Sequence, residues 1–228
     1  MKRLLPLLIL LAAAISSFSQ DYGLSFSYFL PKNGSFSTPV SPFSIRGIGV
    51  NLNRMISVET GASLYRMTGL NISGLPFESI EPMAGPNLTI FIPAELVFRI
   101  KGKGAEFNVN GGGFVYHGFF QKLNEGNIDR AIRTYEGWKL VNSDLTFSTK
   151  PGAGWKTGAE LIIDVTRQWG LSLEVNYLAG ASPIPLNGTY AGMDTQDQFI
   201  TRSVNYRKAK IDLTGVEFSL SILMKGGR

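Results

Sequence analysis

Leu88-Thr89-Ile90-Phe91-Ile92-Pro93-Ala94-Glu95-Leu96-Val97-Phe98-Arg99-Ile100-Lys101 decides the fold. Successive side chains of a strand point to opposite faces. Leu88, Ile90, Ile92, Ala94, Leu96, Phe98 and Ile100 therefore share one face. Thr89, Phe91, Pro93, Glu95, Val97, Arg99 and Lys101 share the other. The same alternation runs through Ile56–Met67, where Ile56, Val58, Thr60, Ala62 and Leu64 oppose Ser57, Glu59, Gly61, Ser63 and Tyr65. In Trp155–Thr166, Trp155, Ala159, Leu161, Ile163 and Val165 oppose Lys156, Gly158, Glu160 and Asp164. Leu171, Leu173, Val175 and Tyr177 oppose Ser172, Glu174 and Asn176. Further strands are expected at Asp21–Leu30, Phe43–Asn53, Ala105–Phe119 and Ala209–Met224, the last changing phase through a bulge near Gly215.

The connections alternate between short and long. Short ones fall near Asn53–Ile56, Lys101–Gly104 and Thr166–Gly170, and long ones at Pro31–Pro42, Gly69–Asn87, Gln121–Gly152 and Ala181–Lys208. One end of the sheet is trimmed and the other elaborated. The expectation is an all-β chain: an eight-stranded antiparallel up-and-down transmembrane β-barrel with short periplasmic turns and four long extracellular loops.

Residues 1–19 read as a secretory signal peptide. Lys2 and Arg3 precede an apolar run, and Ser17-Phe18-Ser19 supplies small residues at cleavage spacing. One barrel domain is expected over residues 20–228, with the bacterial outer membrane as its location. Removing Lys2 and Arg3 lowers the formal net charge from +5 to +3, and no block of like charges suggests nucleic acid. Cysteine is absent, which excludes disulfides and cysteine-ligated metals. No apolar stretch after the signal is long enough for a membrane helix, so a membrane-spanning chain of this kind must close its sheet.

Alternation alone does not orient the faces, because a soluble ligand-binding barrel would bury the apolar one. Three features favour apolar-out. The charged face carries Gly47, Gly49, Gly61, Gly112 and Gly158, which relieve crowding in a narrow interior. Aromatics on the apolar face gather near strand ends as an interfacial girdle: Tyr22, Phe98, Phe107 and Trp169 toward the short turns, Tyr28, Trp155 and Tyr177 toward the long loops. The loop asymmetry is the third.

Inside such a barrel Glu59, Glu95, Glu106, Glu160, Asp164, Glu174 and Glu217 would face Arg99, Lys101 and Lys156. Charges out of water need partners, so an ion-paired core filling the lumen is expected. The single histidine, His117, has outward parity, but Gly118-Phe119-Phe120 follow it and supply no nucleophile. No catalytic, cofactor or metal site is expected. The loop Gln121–Gly152, with room for a short helix, offers Arg130, Arg133, Tyr135 and Trp138 as a contact surface for protein or lipopolysaccharide phosphate. The loop Ala181–Arg207 adds Tyr190, Phe199 and Tyr206.

In the order of its signal, strands, turns and loops, the chain resembles the small outer-membrane barrel superfamily. That group includes the membrane domain of OmpA, OmpX and the PorT-like barrels of Bacteroidota. The signal ending in Ser19-Gln20 and the closing segment Gly215–Lys225 are similar to the last of these, whereas the terminal Lys225-Gly226-Gly227-Arg228 lacks the usual final aromatic. The resemblance implies a non-enzymatic envelope component or an accessory barrel of a secretion or surface complex. Its partners would be outer-membrane lipid and an envelope protein. A lipid-modifying barrel enzyme and a small passive channel are the alternatives.

Overall fold

The computed structural model describes residues 22–35 and 38–225. The signal-peptide reading of residues 1–19 and the last residues, 226–228, lie outside them. Eight long strands form one antiparallel ring: β1 (Tyr22–Pro31), β2 (Thr38–Asn51), β3 (Ile56–Met67), β4 (Asn87–Lys101), β5 (Ala105–Phe119), β6 (Gly152–Asp164), β7 (Trp169–Pro183) and β8 (Gly215–Met224). Each pairs with its sequence neighbour, and β8 returns to β1 in register from Tyr22↔Met224 to Pro31↔Gly215. Closure pairs every strand on both sides and removes the edges that an open sheet would expose.

The apolar parity faces out. Leu24, Phe26, Leu96, Phe98, Val109, Leu161, Leu173 and Ile222 are all exposed, while the intervening Ser25, Ser27, Glu95, Asn108, Ser172 and Ser221 are buried. The interior is therefore the polar face over the half of the barrel nearer the short turns. Nearer the long loops it turns aromatic. Phe29, Tyr65, Met67, Phe91, Phe114, Tyr116 and Leu178 are buried there, with the Phe91 and Phe114 ring centroids 4.2 Å apart. An ion-paired core was expected along the lumen; in the upper part these rings take its place, continuous with the apolar core of the loops above.

Two of the long connections are folded structure, which alternation did not announce. Residues Gln121–Gly152 contain helix α1 (Glu125–Glu136) and a strand at Leu140–Phe147. Strands at Leu186–Met193 and Phe199–Tyr206 join the latter in a three-stranded antiparallel sheet. Ile128, Ala131 and Ile132 bury one face of α1, and Gly137 ends it in the left-handed conformation at φ 68°, where a side chain would be strained. The Asp129 carboxylate accepts hydrogen bonds from the Ser143 N–H at 2.9 Å and its hydroxyl at 2.5 Å, fastening helix to sheet. The strand expected over Ala209–Met224 is two pieces. Lys210–Asp212 pairs with the upper end of β7, and β8 begins anew at Gly215, so a break at Leu213–Thr214 absorbs the phase change that a bulge was to explain.

Inward glycines answer to the crowding argument. A methyl group on Gly112 would stand 2.1 Å from the Ala94 carbonyl oxygen, and one on Gly158 would stand 2.3 Å from that of Val175. Gly112→Val is expected to lower the unfolding free energy by about 1–3 kcal/mol through overpacking. Gly126→Ala, on an exposed turn of α1 with open space around it, is expected to raise stability by up to about 1 kcal/mol. Urea unfolding of the refolded chain, followed by tryptophan fluorescence, measures both.

Candidate functional site

The most organised group of polar side chains crosses the lumen and draws on all eight strands. Arg46 of β2 is its centre. Its guanidinium pairs with Glu217 of β8 at 2.9 Å and Glu174 of β7 at 3.5 Å. It also donates to the hydroxyls of Ser27 on β1 and Ser219 on β8, both at 3.2 Å. Tyr65 of β3 donates to Glu217 from above. Lys156 of β6, whose side chain is fully buried, stands 3.0 Å from Glu95 of β4 and 3.5 Å from Glu174. Asn110 of β5 and Asn176 of β7 each donate to Glu174 at 2.8 Å, and Asn176 reaches Glu217 at 2.9 Å. Every ion here is both paired and hydrogen-bonded, the condition under which charges survive burial.

A second group lies toward the short turns. Arg99 holds Glu59 at 2.5 Å, and the Ser57 hydroxyl donates to the same carboxylate at 2.6 Å. Glu106 stands 3.7 Å from Arg99 and 3.3 Å from the half-exposed Lys101. Glu160 differs from the rest. The Asn108 amide donates to it at 2.8 Å and the Ser172 hydroxyl donates as well, but among the described residues no cation pairs with it. A cavity of ≈ 30 Å³ remains between these groups.

Of the residues expected in the core, Glu59, Glu95, Arg99, Glu106, Lys156, Glu160, Glu174 and Glu217 do meet inside the ring. Asp164 does not join them. It sits at the short-turn mouth and pairs with Lys225, because its strand ends there. Arg46, the hub, was missed. It lies where the pairing of β2 with β3 shifts between Ile45 and Ile48, and Gly47 takes φ 75°. That irregularity lets Ile45 and Ile48 both face out and hides Arg46 from a strict two-residue reading. An isolated arginine followed by glycine in an otherwise apolar strand was the available signal.

On the outer wall Tyr22, Tyr28, Phe98, Phe107, Trp155, Trp169 and Tyr177 are all exposed, and the Trp155 and Tyr177 rings lie 5.7 Å apart. His117 stands edge-on to Phe119 at 4.7 Å. Among the described residues no three His, Asp or Glu side chains are grouped closely enough to hold a metal.

The contact surface expected of the long loop is only partly a surface. Trp138 is 8% exposed, and its ring packs 5.6 Å from Tyr190 and under the Arg202 guanidinium at 5.5 Å. It is core because α1 and the three-stranded sheet need a large side chain between them. Arg130 is engaged by Glu81 at 2.6 Å, while Arg133 and Tyr135 remain exposed. Glu136 accepts from Tyr190 at 2.5 Å and Arg202 at 2.8 Å, and burial together with that carboxylate pushes the Tyr190 phenol up to about 12.

No protein-family model and no curated protein sequence matches this chain. Solved structures do. The outer-membrane protein OprG from Pseudomonas aeruginosa superposes with a TM-score of 0.56 at 9% identity, over 90% of this chain and 95% of that one. A major outer-membrane protein from Thermus thermophilus aligns over 91% and 99% with a TM-score of 0.43 at 12% identity. Ail, the attachment invasion locus protein of Yersinia pestis, aligns over 90% and 95% with a TM-score of 0.38 at 10% identity. At 9% identity the OprG likeness speaks for the fold alone: with its closed ring, the chain has the eight-stranded architecture of small outer-membrane β-barrels.

Proposed function

We propose that this chain is a non-enzymatic outer-membrane barrel whose lumen is closed, and that it serves as an envelope structural component or docking platform. In that role it would be an accessory barrel of a secretion or surface complex, presenting its long-loop cap to a protein partner. The carrying observation is the lumen itself. One polar network takes a side chain from each of the eight strands, leaves a cavity of ≈ 30 Å³, and lies beneath a layer of buried aromatic rings. An interior so filled has no continuous aqueous route of useful width. Membrane residence is supported by the outward apolar belt, which runs round the ring and is larger than the patches soluble monomers ordinarily expose. The exposed aromatics at both ends of that belt suit the two interfaces of a bilayer.

The non-enzymatic reading rests on what surrounds the one histidine. His117 meets a phenylalanine ring and Ile90 on the neighbouring strand, not a serine or carboxylate that it could activate. The docking reading rests on the cap, which has its own apolar core and is tied to itself by the Asp129–Ser143, Arg130–Glu81 and Lys139–Asp197 contacts. A surface held this firmly can recognise a partner without first paying to order itself.

Reconstituted in planar bilayers, the protein is expected to give no stable single-channel current. Stepwise conductance would overturn the closed lumen. Arg46→Met is expected to cost about 3–5 kcal/mol of stability by stranding Glu217 and Glu174, whereas Lys101→Met, at the half-exposed mouth, should cost no more than about 1 kcal/mol. Urea titration in detergent compares them. For the membrane setting, Leu173 is 56% exposed and pairs with Leu220 near the middle of β8, and Leu173→Arg is expected to lose about 2–4 kcal/mol of folding free energy in lipid vesicles. An equal loss in detergent-free aqueous buffer, or recovery of the wild-type chain in the soluble fraction, would refute the membrane assignment.

A further inference from the structure

The charges of the lumen do not cancel. Glu59, Glu95, Glu106, Glu160, Glu174 and Glu217 share the three inner cations Arg46, Arg99 and Lys156, with Lys101 contributing only from the mouth. The imbalance is concentrated at the cavity of ≈ 30 Å³, which is lined by five of these carboxylates and by only two guanidiniums, those of Arg46 and Arg99. Glu160 borders it and is held by neutral donors alone.

Two asparagines on the same lining make the deficit specific. Asn108 gives its amide N–H to Glu160 and Asn110 gives its own to Glu174, which leaves both side-chain oxygens as the free ends. The residues are 3% and 6% exposed, and among the described residues neither oxygen has a donor. A buried acceptor without a donor is costly, and Glu160 beside them is a half-buried carboxylate without a counter-charge. Acceptor oxygens, surplus negative charge and a small internal space coincide.

We propose that this cavity binds a monovalent metal cation of about the size of sodium. Its ligands are the Glu160 carboxylate and the side-chain oxygens of Asn108 and Asn110, completed by water. The space suffices, since one water needs only about 10–15 Å³ and the cavity offers more than that. The Nε–H of Arg46, on the same lining and likewise without an acceptor among the described residues, suits a lone pair of the coordinating water. A calcium ion would require about six to eight oxygens with several carboxylates among them, and no such acid group stands at metal spacing among the described residues. Hard oxygen donors of mixed charge favour the smaller positive charge.

This site rests on the closed lumen proposed above, but the two fail separately: conductance judges closure, and cation dependence judges the site. The test uses the refolded full chain in zwitterionic detergent, with sodium chloride titrated against tetramethylammonium chloride at constant ionic strength. The unfolding midpoint is expected to rise with the logarithm of sodium concentration and to stay flat in the organic cation, which is too large to enter. Sodium-23 NMR should show line broadening that disappears in Glu160→Gln. Asn108→Leu provides a second variant should that one fail to fold, and Glu81→Gln on the cap should keep the full sodium response. Equal midpoints in the two salts would overturn the site, as would a sodium response that survives in both lumen variants. A midpoint that rises on acidification but ignores the choice of cation would mean that a proton neutralises Glu160, and it too would overturn the site.

Discussion

An eight-stranded ring encloses a space only as wide as its own side chains, and everything else in this protein follows from having to fill it. Water is scarce there, so charged groups must satisfy one another. Arg46 meets that demand by touching β1, β7 and β8 at once, and Lys156 does the same between β4 and β7. Serines and glycines occupy the neighbouring inward positions because nothing larger fits beside these long side chains. The outward positions then take what remains of the alternation, an apolar belt.

The interior is built in two materials. Near the short turns it is ionic and hydrogen-bonded; near the long loops it is aromatic and merges with the apolar core of the cap. The change of material has a mechanical meaning. Helix α1 and the three-stranded sheet stand on rings from β3, β4 and β5 and are not tethered by flexible chain alone. Barrel and cap therefore share one core, and a disturbance of Phe91 or Tyr116 reaches both.

Most of the ring could be read in the chain, because a strand with one polar and one apolar face writes its geometry at every second residue. Ile56–Met67 and Leu88–Lys101 match the observed strands nearly residue for residue. What could not be read departs from that period. The irregularity at Arg46–Gly47 shifts parity and conceals the hub. The cap hides for another reason. Its sheet strands are short and mix Asn, Ser and Thr with apolar residues, so Leu186–Met193 and Phe199–Tyr206 resemble loop composition, and Trp138 passes for a surface aromatic. Their partners are distant in sequence, as in Tyr190 against Ser143 and Arg202, and only assembly brings them together. Among the acids of inward parity, the glutamates lie within the ring, whereas Asp164, of the same parity, sits at the mouth, where position along the strand decides the partner.

The seam between β1 and β8 joins the first and last strands of the described chain. Arg46 is made early, but Glu174 and Glu217 belong to the two strands made last. The guanidinium therefore gains these counter-ions only when β7 and β8 take their places beside β1. Ring closure and charge neutralisation become a single event, and a chain truncated before Gly215 would lack both the strand that shuts the cylinder and the carboxylate that holds it shut.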